Sequence, residues 1–134
     1  MKRWYWIVTA LMMAVFLTAC GGQPQISVAE TNLAFGDVVN GEVVVREISI
    51  QNKGEGDLVI EAVSTSCGCT QAAIEPTIIP PGSSGTLTVE FDSGAHGPEL
   101  TGELIRQVFI ASNDPAQPET IVEIAANILR PSEP

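Results

Sequence analysis

The sequence predicts an all-β protein, a β-sandwich of about seven strands that follows an N-terminal leader, and three observations support this. After residue 19, Val and Ile number 23 against 6 Leu, and branched Cβ atoms favour strands over helices. Turn-forming residues recur every 8 to 15 positions, a spacing typical of sandwiches. Residues 86–91 alternate apolar and polar side chains strictly, as a half-buried strand does.

The predicted strands cover residues 26–29, 43–51, 58–64, 70–74, 86–91, 104–111 and 120–129, with Gly-, Pro- or Asn-rich turns at 52–57, 80–85 and 113–115. Residues 43–47 break the alternation, which predicts a bulge or a strand covered on both faces. Helix propensity alone permits a short helix over 123–129, but Val122, Ile124, Ala126 and Ile128 repeat the period of a strand. We therefore expect a strand there.

The first 19 residues are predicted to be a lipoprotein signal peptide. Lys2 and Arg3 precede an apolar run over residues 4–17, as in export signals, and this run is shorter than the ~20 residues that a membrane-spanning helix needs. It ends in Leu17-Thr18-Ala19-Cys20, which resembles a bacterial lipobox, in which the Cys is lipidated and becomes the first mature residue. The alternative is an ordinary export signal that happens to contain a Cys.

This interpretation divides the chain into a signal peptide (1–19), a lipidated Cys20 with a short tether (20–25), an immunoglobulin-like sandwich (26–130) and a tail (131–134). The tether reaches at most about 20 Å at ~3.3 Å per residue. Acyl chains such as palmitate would hold the protein on a membrane, outside the cytoplasm. Gly21, where an Asp would favour retention at an inner membrane, favours the outer membrane of a bacterium that has one.

Charge and composition exclude several classes of function. The chain has a net charge of −10, with 16 acidic residues against 6 Lys and Arg, so nucleic acid is not an expected ligand. Every Trp and Tyr lies in the leader, which disfavours carbohydrate stacking and removes common protein hot-spot residues. No nucleophile elbow, phosphate loop or two-His metal helix is present. We expect neither an enzyme nor a cofactor. An exposed sheet edge could still accept a strand from a protein partner.

The segment Ser66-Cys67-Gly68-Cys69-Thr70 is chemically unusual, and three interpretations are open. Exported proteins meet an oxidising environment, which favours a Cys67–Cys69 disulfide. Residues two apart in a strand have Cα atoms about 6.5–7 Å apart, at the limit for a disulfide, so a turn at Gly68 would be needed. The small ring would add little stability. Alternatively the pair is a dithiol redox centre, although its spacing is not the usual Cys-x-x-Cys.

The third interpretation is a soft-metal site for Cu(I) or Zn(II). Two thiolates form half of a tetrahedral zinc site, and the mature chain contains no Met for a thioether-rich copper site. His96, in the Gly/Pro-rich segment 92–99, could contribute if the fold brings the two loops to the same end of the sandwich. A loop His is otherwise expected to be solvated.

The sequence also resembles a bacterial domain-of-unknown-function family of exported proteins, often lipoproteins, related to the Hydin-type immunoglobulin-like domains. The resemblance covers about residues 28–129 and rests on Phe35-Gly36, Asn52-Lys53-Gly54, Cys67-Gly68-Cys69-Thr70, Pro80-Pro81-Gly82 and Ser112-Asn113-Asp114-Pro115. It implies a β-sandwich and no established activity. The expected function is a membrane-anchored protein-binding or envelope-structural module; the alternative is a thiol protein that handles metal or electrons through Cys67 and Cys69.

Overall fold

Nine strands and no helix make up residues 21–132, the part of the chain that the computed structural model describes. The strands are β1 Ile26–Val28, β2 Asn32–Val39, β3 Val43–Asn52, β4 Leu58–Thr65, β5 Thr70–Glu75, β6 Ile78–Ile79, β7 Ser84–Asp92, β8 Gly102–Ser112 and β9 Glu119–Leu129. The predicted signal peptide and Cys20 lie outside the described residues. Within residues 21–132, no helix is long and apolar enough to cross a membrane.

The strands form two sheets that face each other, which confirms the predicted immunoglobulin-like sandwich. The first sheet has the order β1-β3-β7-β5 and the second has the order β2-β9-β8-β4-β6. All pairs are antiparallel except β2 with β9. The N-terminal segment therefore joins both sheets, since β1 pairs in the first and β2 in the second.

The core lies between the sheets and is made of the side chains at alternate strand positions. Leu87, Val89 and Phe91 of β7 have no exposed surface, as the strict alternation of that segment predicts. The facing strand β9 buries the same alternating set that the sequence indicates, Val122, Ile124, Ala126 and Ile128. Residues 123–129 are therefore strand, not helix.

Strands β2 and β6 were not expected from the sequence. The period of β2 is shifted by a register irregularity between Ala34 and Gly36, where Gly36 adopts a φ of 70°. That shift moves Phe35 and Val38 to the core face although they do not alternate. The other missed strand, β6, has only two residues and lies between Pro76 and Pro80, directly before the turn predicted at residues 80–85.

The bulge expected at residues 43–47 is absent, because β3 pairs with β7 in continuous register from Val43 to Gln51. Nor is this part of β3 covered on both faces, since Val43 and Val45 are 55% and 49% exposed. The irregularities lie instead in β2 and in β4, between Ile60 and Ala62. Pattern alone did not distinguish an exposed valine from a buried one.

The sandwich has two ends that differ in what they carry. The loops at residues 40–42, 66–69 and 93–101 meet at one, here called the cysteine end, because Val43 and Thr70 flank Asp92 and Phe91 in the first sheet. The opposite, N-terminal end carries the turns at 52–57 and 113–118, where Ile26 pairs with Asn52. Strand β3 runs between them for 10 residues, which corresponds to about 30 Å at ~3.3 Å per residue.

Residues 22–25, expected to be a tether, pack against the turn at 52–57. The Gln23 carbonyl accepts hydrogen bonds from the N–H groups of Glu55 (2.9 Å) and Gly56 (3.3 Å), and the Gln25 carbonyl accepts one from Lys53 (2.9 Å). A Cβ atom added at Gly22 would overlap Glu55. Only Gly21 among the described residues precedes this contact.

Two buried polar side chains organise the N-terminal end. Asn52 is 1% exposed; its Oδ1 accepts from the N–H groups of Gln25 and Gly54, and its Nδ2 donates to the carbonyls of Gly56 and Ile79. Asp114, 3% exposed, accepts from the N–H groups of Ile26, Ala116 and Gln117. Burial alone would raise the pKa of Asp114, but the three donors together outweigh it and hold the pKa below the ordinary 3.8.

Candidate functional site

Cys67 and Cys69 form a disulfide in the turn between β4 and β5. Their Cα atoms are 5.4 Å apart, closer than in an extended strand and within the range that a disulfide spans. The Thr70 N–H donates to the Cys67 carbonyl at 3.4 Å to close the turn. Gly68 is not among the glycines with positive φ, and a Cβ there would meet nothing within 4 Å. The turn therefore forms without the conformational freedom that the sequence suggested for Gly68.

One backbone N–H group and one hydroxyl lie beside the two sulfur atoms, and a second hydroxyl binds the carbonyl groups of the turn. The Cys69 N–H donates to Cys67 Sγ at 3.1 Å, and the Thr70 hydroxyl oxygen lies 3.9 Å from Cys67 Sγ and 3.7 Å from Cys69 Sγ. The Thr65 hydroxyl, at the end of β4, lies 2.9 Å from both the Cys67 and the Thr70 carbonyl oxygens. These contacts give sulfur the polar neighbours that suit a negatively charged form.

The burial of the pair is asymmetric. Cys69 is 3% exposed and belongs to the core, whereas Cys67 is only partly buried. The Cys69 carbonyl accepts a hydrogen bond from the Asp92 N–H at 2.9 Å. Since Asp92 ends β7, this bond joins the cysteine turn to the loop that follows.

That loop, residues 93–101, carries His96 and is held by several hydrogen bonds. Asp92 Oδ1 accepts from the Gly94 N–H at 2.9 Å, and the Gly97 N–H donates to the Gly94 carbonyl at 3.0 Å. Asn40 Nδ2 lies 3.0 Å from the Gly97 carbonyl and 2.9 Å from that of Leu100. The His96 side chain is exposed, as a loop His is expected to be.

The fold brings His96 to the cysteine pair, which is the condition that sequence reasoning set for a third ligand. One ring nitrogen of His96 and the two Sγ atoms all lie within 4.8 Å of one another. Ligands of one zinc ion at Zn–S ≈ 2.3 Å and Zn–N ≈ 2.0–2.1 Å lie about 3.3–3.8 Å apart in a tetrahedron. Two sulfurs and one imidazole nitrogen are also the donors that thiophilic ions prefer.

Sequence reasoning missed two residues beside this cluster. Asn40, which fixes the His96 loop, sits in a Val-Val-Asn-Gly turn that indicates only a hairpin. Arg106 occupies a core-facing position of β8 between Leu104 and Val108, and its Nε atom is buried with no hydrogen-bond partner in the described part of the chain. Ser66 and Gln107 exchange hydrogen bonds, so the β4–β8 register brings Arg106 level with Cys67. The sequence feature that could have identified Arg106 is a charged residue at a position of β8 where the alternation calls for an apolar one.

A second surface is the open edge of β3. Strand β1 pairs with only the last residues of β3, from Ile50 to Asn52. From Val43 to Glu47 no strand in the described residues lies on the side of β3 away from β7. The Arg46 guanidinium lies 5.6 Å from the Phe35 ring centroid, across the gap between β3 and β2. The result is a short exposed edge that begins at the cysteine end.

These features define the class of the protein, an immunoglobulin-like β-sandwich that carries a Cys-Gly-Cys disulfide turn and a nearby His at one end. The chain belongs to the family described as a protein of unknown function (DUF1573), whose model matches residues 26–128. This confirms the family resemblance at the level of a domain of unknown function. No curated protein matches the chain.

Solved structures are similar in fold. A protein of unknown function from Porphyromonas gingivalis shares 23% identity over 83% of this chain and 50% of its own, with a TM-score of 0.70. The ASH/PapD-like domain 7 of human CEP192 shares 9% identity over 82% of this chain and 89% of its own (TM-score 0.61). The YadV chaperone shares 15% identity over 81% and 52% (TM-score 0.55). The chain spans about half of the Porphyromonas protein, and the likeness at these identities concerns the fold alone.

Proposed function

We propose that this protein is a lipid-anchored module of the bacterial cell envelope, attached to a membrane through Cys20 and acting by binding another protein rather than by catalysis. The observation that carries the proposal is the contact between residues 22–25 and the turn at 52–57. It fixes the start of the mature domain at the N-terminal end of the sandwich. Lipid on Cys20 would therefore lie two residues from Gly22, beside that end.

In this proposal the two ends of the sandwich have opposite roles. The N-terminal end would face the bilayer, and the cysteine end, about 30 Å away along β3, would face the aqueous compartment. The chain after residue 19 carries all 16 acidic residues and only Arg46, Lys53, Arg106 and Arg130 as cations. Anionic headgroups would repel such a domain, so the acyl chains would supply the attachment.

The open edge of β3 supports protein binding. The backbone groups along Val43–Glu47 that face away from β7, and with which no strand of residues 21–132 pairs, could hydrogen bond to an extended segment of a partner, as in β-strand addition. Val43 and Val45, both exposed, would pack against alternate side chains of that segment. Because the edge begins at the cysteine end, a bilayer beside the N-terminal end would leave it accessible.

Metabolic labelling tests the anchor. The full chain should incorporate radiolabelled palmitate and fractionate with membranes, and Cys20→Ser should lose the label and leave the leader uncleaved. Cys67→Ser is the matched control, since it removes a different thiol and should keep the label. Label retained in Cys20→Ser, or a soluble cytosolic full chain, would overturn the proposal.

Site-specific photo-crosslinking tests the edge. A photoreactive residue at Val43 or Val45 should give a discrete adduct whose partner residues lie two apart in one segment, the period of a paired strand. Ile121, which is 44% exposed on the second sheet, is the control position and should give none. Equal adducts from all three positions, or none from β3, would contradict strand addition.

A second candidate function, thiol–disulfide exchange at the cysteine end, is favoured by the partial exposure of Cys67 beside the buried Cys69. An attacking thiolate would reach Cys67 Sγ first, and Cys69 would leave. Reaction with a small dithiol, followed by alkylation and mass spectrometry, should show two alkyl groups on the native chain. A pair that remains unmodified in the folded chain, yet is alkylated in denaturant, would exclude this function.

A further inference from the structure

We propose that Cys67, Cys69 and His96 form a redox-gated site for a thiophilic metal ion, closed as the disulfide and open as the dithiol. This inference rests on the second candidate function, because the pair must be reducible in the folded chain. To that function it adds His96 as a third ligand, one metal ion per chain, and the requirement that the cysteine pair be reduced. Cu(I) and Zn(II) share the required chemistry, since both accept thiolate and imidazole donors.

The three ligand atoms already converge in the folded chain. The three donor atoms lie within 4.8 Å of one another although His96 follows the cysteines by 27 and 29 positions along the chain. The two loops are joined by the hydrogen bond from the Asp92 N–H to the Cys69 carbonyl. Binding would need small movements of side chains rather than a rearrangement of the strands.

Reduction of the disulfide creates the two thiolate ligands. A dithiol donor breaks the Cys67–Cys69 bond by exchange: two electrons and two protons pass to the cysteine pair, and the donor becomes a disulfide. The sulfurs then separate to the ~3.8 Å that two thiolates occupy on one ion at M–S ≈ 2.3 Å. Metal binding releases both thiol protons. The oxidised pair has no thiolate to offer, so the disulfide and the metal exclude each other.

The groups around the two sulfurs also suit metal-bound thiolates. Thr70 Oγ1 lies near both sulfurs, and the Cys69 N–H points at Cys67 Sγ. Hydrogen bonds of this kind orient and stabilise metal-bound thiolates. The Asn40 contacts with Gly97 and Leu100 hold the loop that presents His96. Asn40 is a positioning residue here, since it touches the loop and not the donor atoms.

The number of ligands favours Cu(I). Two thiolates and one imidazole complete a three-coordinate site, which suits Cu(I), whereas Zn(II) would need a fourth donor from solvent or a second molecule. The excess of acidic residues raises the local concentration of either cation. We expect one Cu(I) per chain in the reduced protein, and weaker Zn(II) binding.

The test uses the full chain in mild detergent, prepared air-oxidised or reduced with a water-soluble phosphine and desalted under argon. Cu(I) is presented with a colorimetric Cu(I) chelator, and Zn(II) is titrated alone. The reduced chain should take one equivalent of Cu(I), the oxidised chain none, and X-ray absorption should report two sulfurs and one nitrogen. Equal binding by both forms would overturn the gate.

Variants separate the ligands from their surroundings. His96→Ala should weaken Cu(I) binding by about tenfold or more without unfolding the domain, because the side chain is exposed. Glu99→Ala, in the same loop and also exposed, is the matched control and should bind as the native chain does. The double variant Cys67→Ser/Cys69→Ser should not bind. Native affinity in His96→Ala would refute the three-ligand site.

The outcomes also separate this inference from the function on which it rests. A chain that exchanges with a dithiol and is alkylated twice, but takes up no metal after reduction, would keep the thiol function and reject the metal site. A disulfide that resists the dithiol, with Cu(I) bound only after phosphine reduction, would reject the thiol–disulfide exchange function and keep the three-ligand metal site.

Discussion

The Asp114 carboxylate accepts a hydrogen bond of 2.9 Å from the backbone N–H of Ile26, 88 residues earlier in the chain. The same carboxylate accepts from the N–H groups of Ala116 and Gln117. One buried side chain therefore closes the turn between β8 and β9 and attaches the first residue of β1 to it.

Asp114→Asn should lower the free energy of unfolding by about 1.5–3 kcal/mol near neutral pH, because a neutral amide accepts these hydrogen bonds less strongly and introduces an unneeded donor. The pKa of Asp114 is lowered in the folded chain, so its contribution is complete above its unfolded value of about 3.9 and is lost as the pH falls through the folded value. Urea denaturation at several pH values measures this.

The difference between the native chain and Asp114→Asn should therefore shrink below about pH 4. Asp57→Asn is the control, since Asp57 is exposed in the adjacent turn and should change stability by no more than about 0.5 kcal/mol. A difference independent of pH would contradict the assignment.

Asn52→Asp should destabilise the domain by about 2–3 kcal/mol, because it removes both Nδ2 donors, leaves the Gly56 and Ile79 carbonyls unpaired and buries a carboxylate. The matched substitution Asn113→Asp removes one donor, to the Asp57 carbonyl, at an exposed site, and should cost less than about 1 kcal/mol. Thermal denaturation of the two variants compares them directly. Equal losses would show that burial does not set the cost.

Gly36 and Gly68 should respond in opposite ways to alanine. Gly36 has a φ of 70° at the irregularity of β2, a conformation that costs a residue with a Cβ about 1–2 kcal/mol. Gly68 lacks a positive φ and has open space around it, so Gly68→Ala should preserve both stability and the disulfide. For both variants, free-thiol titration measures whether the disulfide is present, and urea denaturation measures the free energy of unfolding. Loss of the disulfide in Gly68→Ala would contradict the turn described here.

Asn40→Ala should loosen the loop that carries His96. Its Nδ2 contacts with the Gly97 and Leu100 carbonyls disappear, so amide hydrogen exchange should rise at residues 94–100, and Cu(I) affinity of the reduced chain should fall by up to about tenfold. Asn127→Ala, which removes a hydrogen bond to Asp37 on an exposed face, is the control. Identical exchange and affinity in the two variants would exclude a positioning role for Asn40.

The sandwich was readable from the sequence wherever alternation and burial coincide. Strands β7 and β9 show this, because their core residues recur at every second position. Strand β2 could not be recognised in this way, because Gly36, with its positive φ, shifts the alternation of its side chains by one residue. Val43 and Val45 of β3 are exposed because they point to the face opposite to that of the buried Ile48 and Ile50, and the unbroken run of valines at residues 43–45 conceals this alternation.

The candidate site was only partly predictable for a related reason. Cys67 and Cys69 lie two positions apart in the sequence and could be recognised by this spacing. His96 joins them because β4 and β7 end, and β5 begins, at the same end of the sandwich, and the spacing of residues in the sequence does not contain this fact of topology. Thr70 contributes to the site through its hydroxyl beside the two sulfurs, and Asn40 through its hydrogen bonds to the loop that carries His96. The sequence alone does not identify these contacts.

The docked residues 22–25 have a mechanical consequence. Backbone hydrogen bonds from Glu55, Gly56 and Lys53 hold that segment, and β1 follows it directly. If acyl chains on Cys20 are pulled, the load enters through these bonds and then shears β1 along β3, while the cysteine turn at the far end carries none of it. Tension applied at residues 22–25 would therefore be borne at the N-terminal end of the sandwich, and the disulfide turn at the cysteine end would stay intact.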